Sequence, residues 1–346
     1  MPDSAPEASA VPGGPVLPRV MAIETSCDET AVAIVAGGSV LASEIASQVQ
    51  LHQPYGGVVP EVASRSHLTQ LKPLIGRAVE AAGIGLEQID IFAATSGPGL
   101  ATSLMLGVST AKGLALGFGK PYIAVNHLEG HLLSPFFGTG REAEPCIGLI
   151  VSGGHTLLVK VEGVGNYKLL GRTRDDAAGE AFDKAGKLLK LPYPAGPHID
   201  RLAVGGSRDR FDFPRSMIHS GDFNFSFSGL KTSLRYLLPK LEGESIHDIC
   251  ASFQEAIVDV LVRKTLDAAK SERLRIIAVS GGVSCNTRLR ERFRQACDES
   301  GIELLLADPR LCTDNAAMIA HVAARRFRSG EFSALDVDID PNLALV

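Results

Sequence analysis

The chain has 346 residues, of which 45% are hydrophobic and 21% charged, and its formal net charge is −5. At roughly 100–200 residues per domain this length predicts two domains, and the composition excludes a disordered chain. The acidic balance excludes a global attraction to nucleic acid, so any RNA contact needs a local cationic patch.

The longest apolar runs, such as Ile147–Val151, are far too short to span a bilayer, and no signal-peptide pattern opens the chain. The six cysteines (Cys27, Cys146, Cys250, Cys285, Cys297 and Cys312) form no CxxC pair. They read as free thiols of a reducing cytosol, so the expected location is cytoplasmic, away from membranes.

In chain order, residues 1–18 are rich in Ala, Pro, Ser and Gly, lack Lys and Arg, and carry Asp3 and Glu7. A transit peptide would be Arg-rich and acid-poor, so this stretch is expected to be a disordered tail. Arg19–Gly37 reads as strand, polar turn, strand: VMAIE, TSCDET, AVAIVAG. After the strand Tyr122–Val125, Asn126 is a good helix cap, which puts His127 and His131 at i and i+4 on one helix face. Two imidazoles so placed can share a metal, although HxxxH alone is more often structural. A third ligand changes that balance, and Asp314 in Thr313-Asp314-Asn315 is the candidate. Two histidines and one carboxylate leave coordination positions open, as a working metal site requires.

Cys146–Glu162 repeats the strand–turn–strand pattern: CIGLIV, SGGHT, LLVKVE. Ala178–Lys190 has helical spacing, with Asp183 four residues before Lys187, an ordinary surface ion-pair spacing. Pro192, Pro194, Gly196 and Pro197 make a rigid loop, and Asp200 is placed to cap a short helix from Arg201. Phe223, Phe225 and Phe227 alternate with polar residues, as in a half-buried strand. Ser245–Lys270 is the clearest helix, with Ser245 as cap and Asp248 three residues on. Ile276–Arg294 opens with the strand IIAVS and turns through Gly281 and Gly282 into a helix. Its Arg288, Arg290, Arg292 and Arg294 read as a solvated face or a phosphate-contact patch.

The segments opening at Val20, Ile147 and Ile276 recur at nearly equal intervals, which predicts a duplicated α/β lobe. Glycine turns after buried strands, at Ser152-Gly153-Gly154 and Gly281-Gly282, suit close backbone approach to a phosphate. A pair of them suggests a nucleotide clamped between lobes, as in actin, Hsp70 chaperones and sugar kinases. The expected division is a tail over 1–18, an actin-like lobe over 19–126 completed by a C-terminal helix near 316–346, and a second lobe over 127–315 with helical insertions.

Nine motifs in order resemble the TsaD/Gcp family: IETSCDET, YGGVVPEVASRSH, SGPGL, HLEGH, LIVSGGHT, DDAAGEAFDK, FSFSGLKT, SGGVSCN and CTDNAAMIA. The resemblance runs from Arg19 to about Phe332; Asn126, where many relatives carry a further histidine, and Ala195, in a PGGP position, depart from it. It implies a two-lobed actin-like α/β fold (the RNase H-like, ASKHA class) and an acyltransferase, moving threonylcarbamate from threonylcarbamoyl-AMP to N6 of adenosine 37 in tRNAs that read codons beginning with A. It also implies metal ligands at His127, His131 and Asp314, with iron favoured and zinc an alternative. Donor contacts fall on Ile150, Val151, Ser152, Gly153, Gly154, Asp183, Gly196, Asp200 and Asn286. No general base stands out; Asp28 and Glu29 in the first turn are the candidates. Implied partners are the tRNA anticodon loop, a TsaB-like sister protein and a TsaE-like P-loop ATPase, and a homodimer is also allowed. The rival readings are a metallopeptidase and an actin-like regulatory ATPase. Glu129 stands two residues after His127 rather than beside it, unlike HExxH. A regulatory nucleotide clamp needs no histidine metal site.

Overall fold

The computed structural model describes residues 18–240 and 243–346, so the tail expected before Pro18 lies outside the described residues. The first half runs β1 (Val20–Glu24), β2 (Glu29–Ala36), β3 (Ser39–Ser47), α1 (Val49–His52), α2 (Pro60–Ala82), β4 (Ile91–Gly97), α3 (Ala101–Phe118), β5 (Tyr122–Asn126) and α4 (His127–Leu133). The second half runs β6 (Cys146–Val151), β7 (Thr156–Gly163), β8 (Asn166–Arg172), α5 (Ala178–Leu188), α6 (Gly196–Ala203), α7 (Ser228–Leu237) and α8 (Ile246–Glu272). It closes with β9 (Ile276–Ser280), α9 (Thr287–Ser300), β10 (Glu303–Leu306), α10 (Pro309–Cys312) and α11 (Ala316–Arg328).

Apart from Glu24 at the end of β1, strands β1 and β6 are continuous apolar runs because both faces are covered, and every one of their residues is buried. The two sheets have the same plan. One is ordered β3-β2-β1-β4-β5 and the other β8-β7-β6-β9-β10. In each, an antiparallel meander carries two parallel strands beyond its first strand. The duplication is therefore real, but the segment at Ile276 is not a third copy of the first hairpin. It is β9, the parallel neighbour of β6, and its counterpart is β4. Gly281-Gly282 accordingly matches the Gly97–Gly99 turn after β4, whereas Ser152–Gly154 matches the hairpin turn at Ser26–Asp28. Alternation of apolar strand and glycine turn does not distinguish a hairpin from a strand that leads into a helix.

Helix α8 is buried on nearly all sides, and Ser245 caps it by accepting from the His247 N–H. Asp248 does not close a capping box; its carboxylate accepts from the Ser207 N–H instead. The Phe223–Phe227 segment does not form a strand, only a single bridge between Phe225 and Thr173. A Cβ at Gly171 would lie 1.9 Å from the Phe223 carbonyl oxygen, so the segment lies close against β8 at that glycine. Asp175 then accepts from the N–H groups of Phe227 and Ser228 and the hydroxyls of Ser226 and Ser228, fixing the start of α7.

Helix α11 follows the second sheet in sequence but packs on β1, β2, β4 and β5 of the first, and on α4. The chain end continues along the first sheet: Ser333 N–H donates to Tyr122, Asp340 N–H to Ser96, and Asn126 Nδ2 to Ala344. All six cysteines are free. No described helix is long and apolar enough to cross a membrane.

His321 lies buried in the middle of α11, where its Nδ1 accepts from Arg325 at 3.0 Å and its ring meets Phe137 edge-on. Burial, then the Arg325 charge, pushes its pKa well below the ordinary value. The unfolded chain therefore takes up this proton first, near pH ~6.5, and stability falls as the pH drops below that point, by up to ~1.4 kcal/mol per unit. We expect His321→Gln, which keeps an acceptor for Arg325, to lose less melting temperature than the parent between about pH 7.5 and 5.5. An equal loss in both proteins would remove His321 from the account.

Candidate metal centre and nucleotide cleft

Asn126 caps α4 by accepting the Leu128 N–H at 2.8 Å, so the helix starts at His127 and carries both histidines on one face. Asn315 performs the same task for α11, accepting from Met318, while its Nδ2 donates to the Leu311 and Thr313 carbonyls. That braces the turn holding Asp314. The two caps bring together an element leaving β5 of one sheet and a turn following β10 of the other. His131 Nε2 lies 3.1 Å and His127 Nε2 3.5 Å from the same oxygen, Asp314 Oδ1. One ligand atom from each of the three residues lies within 4.8 Å of the others.

These residues fit a metal. Tetrahedral ligands at ~2.0–2.1 Å stand about 3.4 Å from one another, close to the spacing present. Two chemical details agree. His127 Nδ1 is within 3.0 Å of Glu24 Oε2, a carboxylate that favours the proton on Nδ1, so a metal would displace the proton of Nε2. Glu24 is fully buried, fixed by the Ser26 N–H and the Thr95 hydroxyl. Burial opposes ionisation of Glu24 and of Asp314, but His127 outweighs it for Glu24, and His127 with His131 outweighs it for Asp314, holding both below the usual carboxylate range. Burial also opposes charge on His127, yet Asp314 and Glu24 push it up to about 9, so this cluster attracts a cation.

Glu129 faces elsewhere. Its carboxylate is buried against Arg326 at 2.6 Å and accepts from the Tyr167 hydroxyl at 2.8 Å. Two residues along a helix turn a side chain about 200°, away from the face of His127. Glu129 is therefore not placed to activate a metal-bound water.

The metal cluster opens into a cleft of about 970 Å³ between the two sheets. Its lining takes in Ser26–Glu29, Gly56–Val58, Pro98–Leu100, His127, Ser152–His155, Asp183, Tyr193 and Asp314. The N–H of Ser152 donates to the His155 carbonyl, and the N–H of His155 to the Ser152 hydroxyl. The N–H groups of Gly153 and Gly154 find no acceptor among the described residues. A Cβ at either glycine would meet nothing within 4 Å, so the fold itself does not require glycine there. Gly281 is different: its φ of +88° and the Val151 carbonyl 2.5 Å from a would-be Cβ both demand glycine, and it seats the second turn against β6.

The other sequence-derived positions divide. Asp183 lines the cleft and accepts the Ala195 N–H at 2.7 Å instead of pairing with Lys187; burial raises its pKa. Gly196 begins α6 beside it. Ile150 and Val151 are buried in β6 and meet the cleft only through the turn they lead into. Asp200 lies inside α6 rather than capping it, and its carboxylate holds the N–H and hydroxyl of Thr287 at 3.0 and 2.9 Å. Asn286 caps α9 through Leu289 and donates to Gln254. Asp200 and Asn286 thus stand at the junction of the second glycine turn and α9. Asp28 and Glu29 stand on the cleft lip; burial beside Asp28 raises the Glu29 pKa, and Ser47 donates to Glu29 at 3.2 Å. Sequence reasoning missed the tie from Glu24 to His127 and the entry of His155 and Tyr193 into the lining. Glu24 and His155 stood inside quoted motifs, IETSCDET and LIVSGGHT, but nothing local signalled Tyr193.

A family model described as tRNA N6-adenosine threonylcarbamoyltransferase matches residues 39–321. Curated proteins of that name are similar over nearly the whole chain. One from Anaeromyxobacter sp. (strain Fw109-5) is 50% identical over 93% of this chain and 98% of its own. One from Kosmotoga olearia is 48% identical over 95% of this chain and 99% of its own. Among solved structures, full-length HypF in its phosphate- and nucleotide-bound form superposes with TM-score 0.61 at 13% identity, over 90% of this chain and 47% of that one. The activator of the 2-hydroxyisocaproyl-CoA dehydratase from Clostridium difficile gives 0.51 at 13% identity, over 92% and 99%. These likenesses carry the fold alone: two actin-like α/β lobes.

Two substitutions separate the parts of the site. Glu24→Gln keeps the size of the side chain but removes the anion behind His127, and metal affinity should fall about 10–100-fold in a chelator-competition titration. Gly154→Ala should melt like the parent, within ~0.5 kcal/mol, because its Cβ meets no protein atom. It should nevertheless lose at least about tenfold in AMP affinity by calorimetry. Unchanged metal affinity in the first, or unchanged AMP affinity in the second, would contradict these assignments.

Proposed function

This chain belongs to the tRNA N6-adenosine threonylcarbamoyltransferase family, and on that footing we propose how its cleft performs the transfer. The chain is a transferase that modifies N6 of an adenosine in tRNA. The adenosine is position 37 beside the anticodon, in tRNAs reading codons that begin with A, and the donor is threonylcarbamoyl-AMP. An adenine amine is a poor nucleophile because its lone pair is delocalised into the ring. The acyl group must arrive activated, and a mixed anhydride with AMP supplies the leaving group.

The observation that carries this reading is one cleft holding both a two-histidine, one-carboxylate cluster and two unused N–H groups at Gly153 and Gly154. Those N–H groups suit the donor phosphate, as backbone nests do. Asp183 suits ribose or base hydrogen bonds, with Gly196 beside it. Ile150 and Val151 deliver the Ser152–Gly154 turn, while Asp200, like Asp183, accepts ribose or base hydrogen bonds of the donor and Asn286 both donates and accepts. His127, His131 and Asp314 would hold the metal, iron rather than zinc in our reading, although this donor set suits both. A bound metal supplies Lewis-acid polarisation of a carbonyl.

In the transfer, N6 attacks the carbamoyl carbon, the bond from that carbon to the phosphate oxygen breaks, and AMP leaves. The N6 proton passes to Asp28 on the lip, and Glu29, whose pKa burial raises, holds a proton beside it. We place the chain in the cytoplasm, working with a TsaB-like sister protein and a TsaE-like P-loop ATPase; a homodimer is the other assembly. Peptidase chemistry is disfavoured because Glu129 is committed to Arg326 and Tyr167.

Incubation with labelled threonine, bicarbonate, ATP and the companion proteins, followed by mass spectrometry of tRNA nucleosides, tests the reading. Label should enter tRNAs at the adenosine beside the anticodon, and Asp28→Asn should lower the rate about 10²–10⁴-fold. Casein cleavage by metal-loaded chain with no labelled nucleoside would overturn it.

A further inference from the structure

A chain of net charge −5 that acts on tRNA must concentrate its cations where the RNA lands. The arginine row on α9, the patch suggested by sequence, is largely spent inside the protein. Arg288 forms a two-pronged pair with Glu255 at 2.7 and 2.8 Å. Arg290 donates to the carbonyls of Ser284 and Ala307. Arg292 lies within 4 Å of Glu255 and Asp259.

The opposite holds on the cleft wall made by α5 and α7. Lys187 on α5, with Lys231 and Arg235 on α7, lines the cleft, is exposed, and forms no ion pair among the described residues. Their neighbour Lys184 is neutralised by Asp176 and Glu180, which makes the contrast local. Helix α7 buries Leu230 and Leu234, so Lys231 and Arg235, four residues apart, share an outward face. Its start is fixed by the four bonds to Asp175, so the cations stand on a rigid element. Beside Arg235, Tyr236 is 74% exposed. A free phosphate has no use for an exposed aromatic ring; an unpaired base does.

We propose that the α5–α7 wall is the RNA-docking surface, with Lys187, Lys231 and Arg235 on backbone phosphates of a single-stranded loop and Tyr236 stacked on an unpaired base. This rests on the tRNA-transferase reading above. Phosphates laid along this wall bring the loop to the mouth of the cleft whose floor carries His127 and Asp314.

The test uses the full chain with its companion proteins and unmodified tRNA, measuring binding by fluorescence anisotropy across a salt series. The variants are Lys187→Ala/Lys231→Ala/Arg235→Ala and Tyr236→Ala, with AMP affinity taken on the same preparations. The triple variant should bind tRNA at least about tenfold more weakly at low salt, and its log–log salt slope should shrink by about two, at ~0.7 per lost phosphate contact. Tyr236→Ala should bind about tenfold more weakly at every salt concentration, with the parent's slope. Parent-like affinity and slope in the triple variant, while the parent modifies tRNA, would place the RNA elsewhere and leave the transferase reading standing. Loss of AMP affinity without loss of tRNA affinity would overturn the proposal in favour of a nucleotide role for these cations. A parent that neither binds nor modifies tRNA would bring down the transferase reading and the proposal together.

Discussion

Two ionised carboxylates, Glu24 and Asp314, flank one buried imidazole, and much of this molecule is arranged around keeping them there. Burying an isolated carboxylate costs several kcal/mol, and two close together repel as well. Each is compensated by different means. Glu24 takes hydrogen bonds from Ser26 in the turn after β1, Thr95 in β4 and His127 at the start of α4. Asp314 has only the two imidazoles and a partly open side, so its remaining demand is for a cation. Both Nε2 atoms face the same carboxylate oxygen, and no lysine or arginine among the described residues pairs with Asp314. Asymmetry of this kind, one carboxylate satisfied from behind and one unsatisfied in front, suits a polar cluster to a metal ion.

The same seam explains why the fold is doubled. Each lobe offers a hairpin turn and a glycine turn at the ends of its central strands, as open α/β sheets present their ligand sites. Facing two such lobes puts four turns around one space. In the first lobe, the hairpin turn carries Ser26–Glu29 and the second turn Pro98–Gly99; in the second lobe, Ser152–Gly154 and Gly282 take those places. Helix α11 and the chain end then bind the far end of the sequence back to the first sheet, with Asp314 at the crossing point. The His127–His131–Asp314 cluster and the glycine turns are separate groups of residues around one cleft.

Much of this was legible in the sequence, for local reasons. A cap followed by histidines four apart fixes a shared helix face, and Asn126 behaves as its type predicts. Apolar strands ending in glycine turns announce the cleft. What was illegible depends on contacts between distant segments. Nothing near Glu24 indicates that it will meet His127, and nothing near Asp200 indicates Thr287. The arginines of α9 looked solvated until α8 brought Glu255 against them. The segment at Ile276, a strand turning into a helix as read, fell into one series with the two hairpins because a buried parallel strand and a buried hairpin strand share one composition. The alternating phenylalanines form one parallel bridge at Phe225 and no more, because the Phe227 N–H goes to the Asp175 carboxylate at the start of α7.

The central claim is that the histidine cluster holds a metal, independently of the nucleotide turns. Elemental analysis and AMP calorimetry on the same preparation of His131→Ala test it most directly. The account predicts metal well below one ion per chain with AMP affinity largely intact, since Gly153, Gly154 and Asp183 are untouched. A full metal complement in that variant would contradict it and leave the histidines as structural residues.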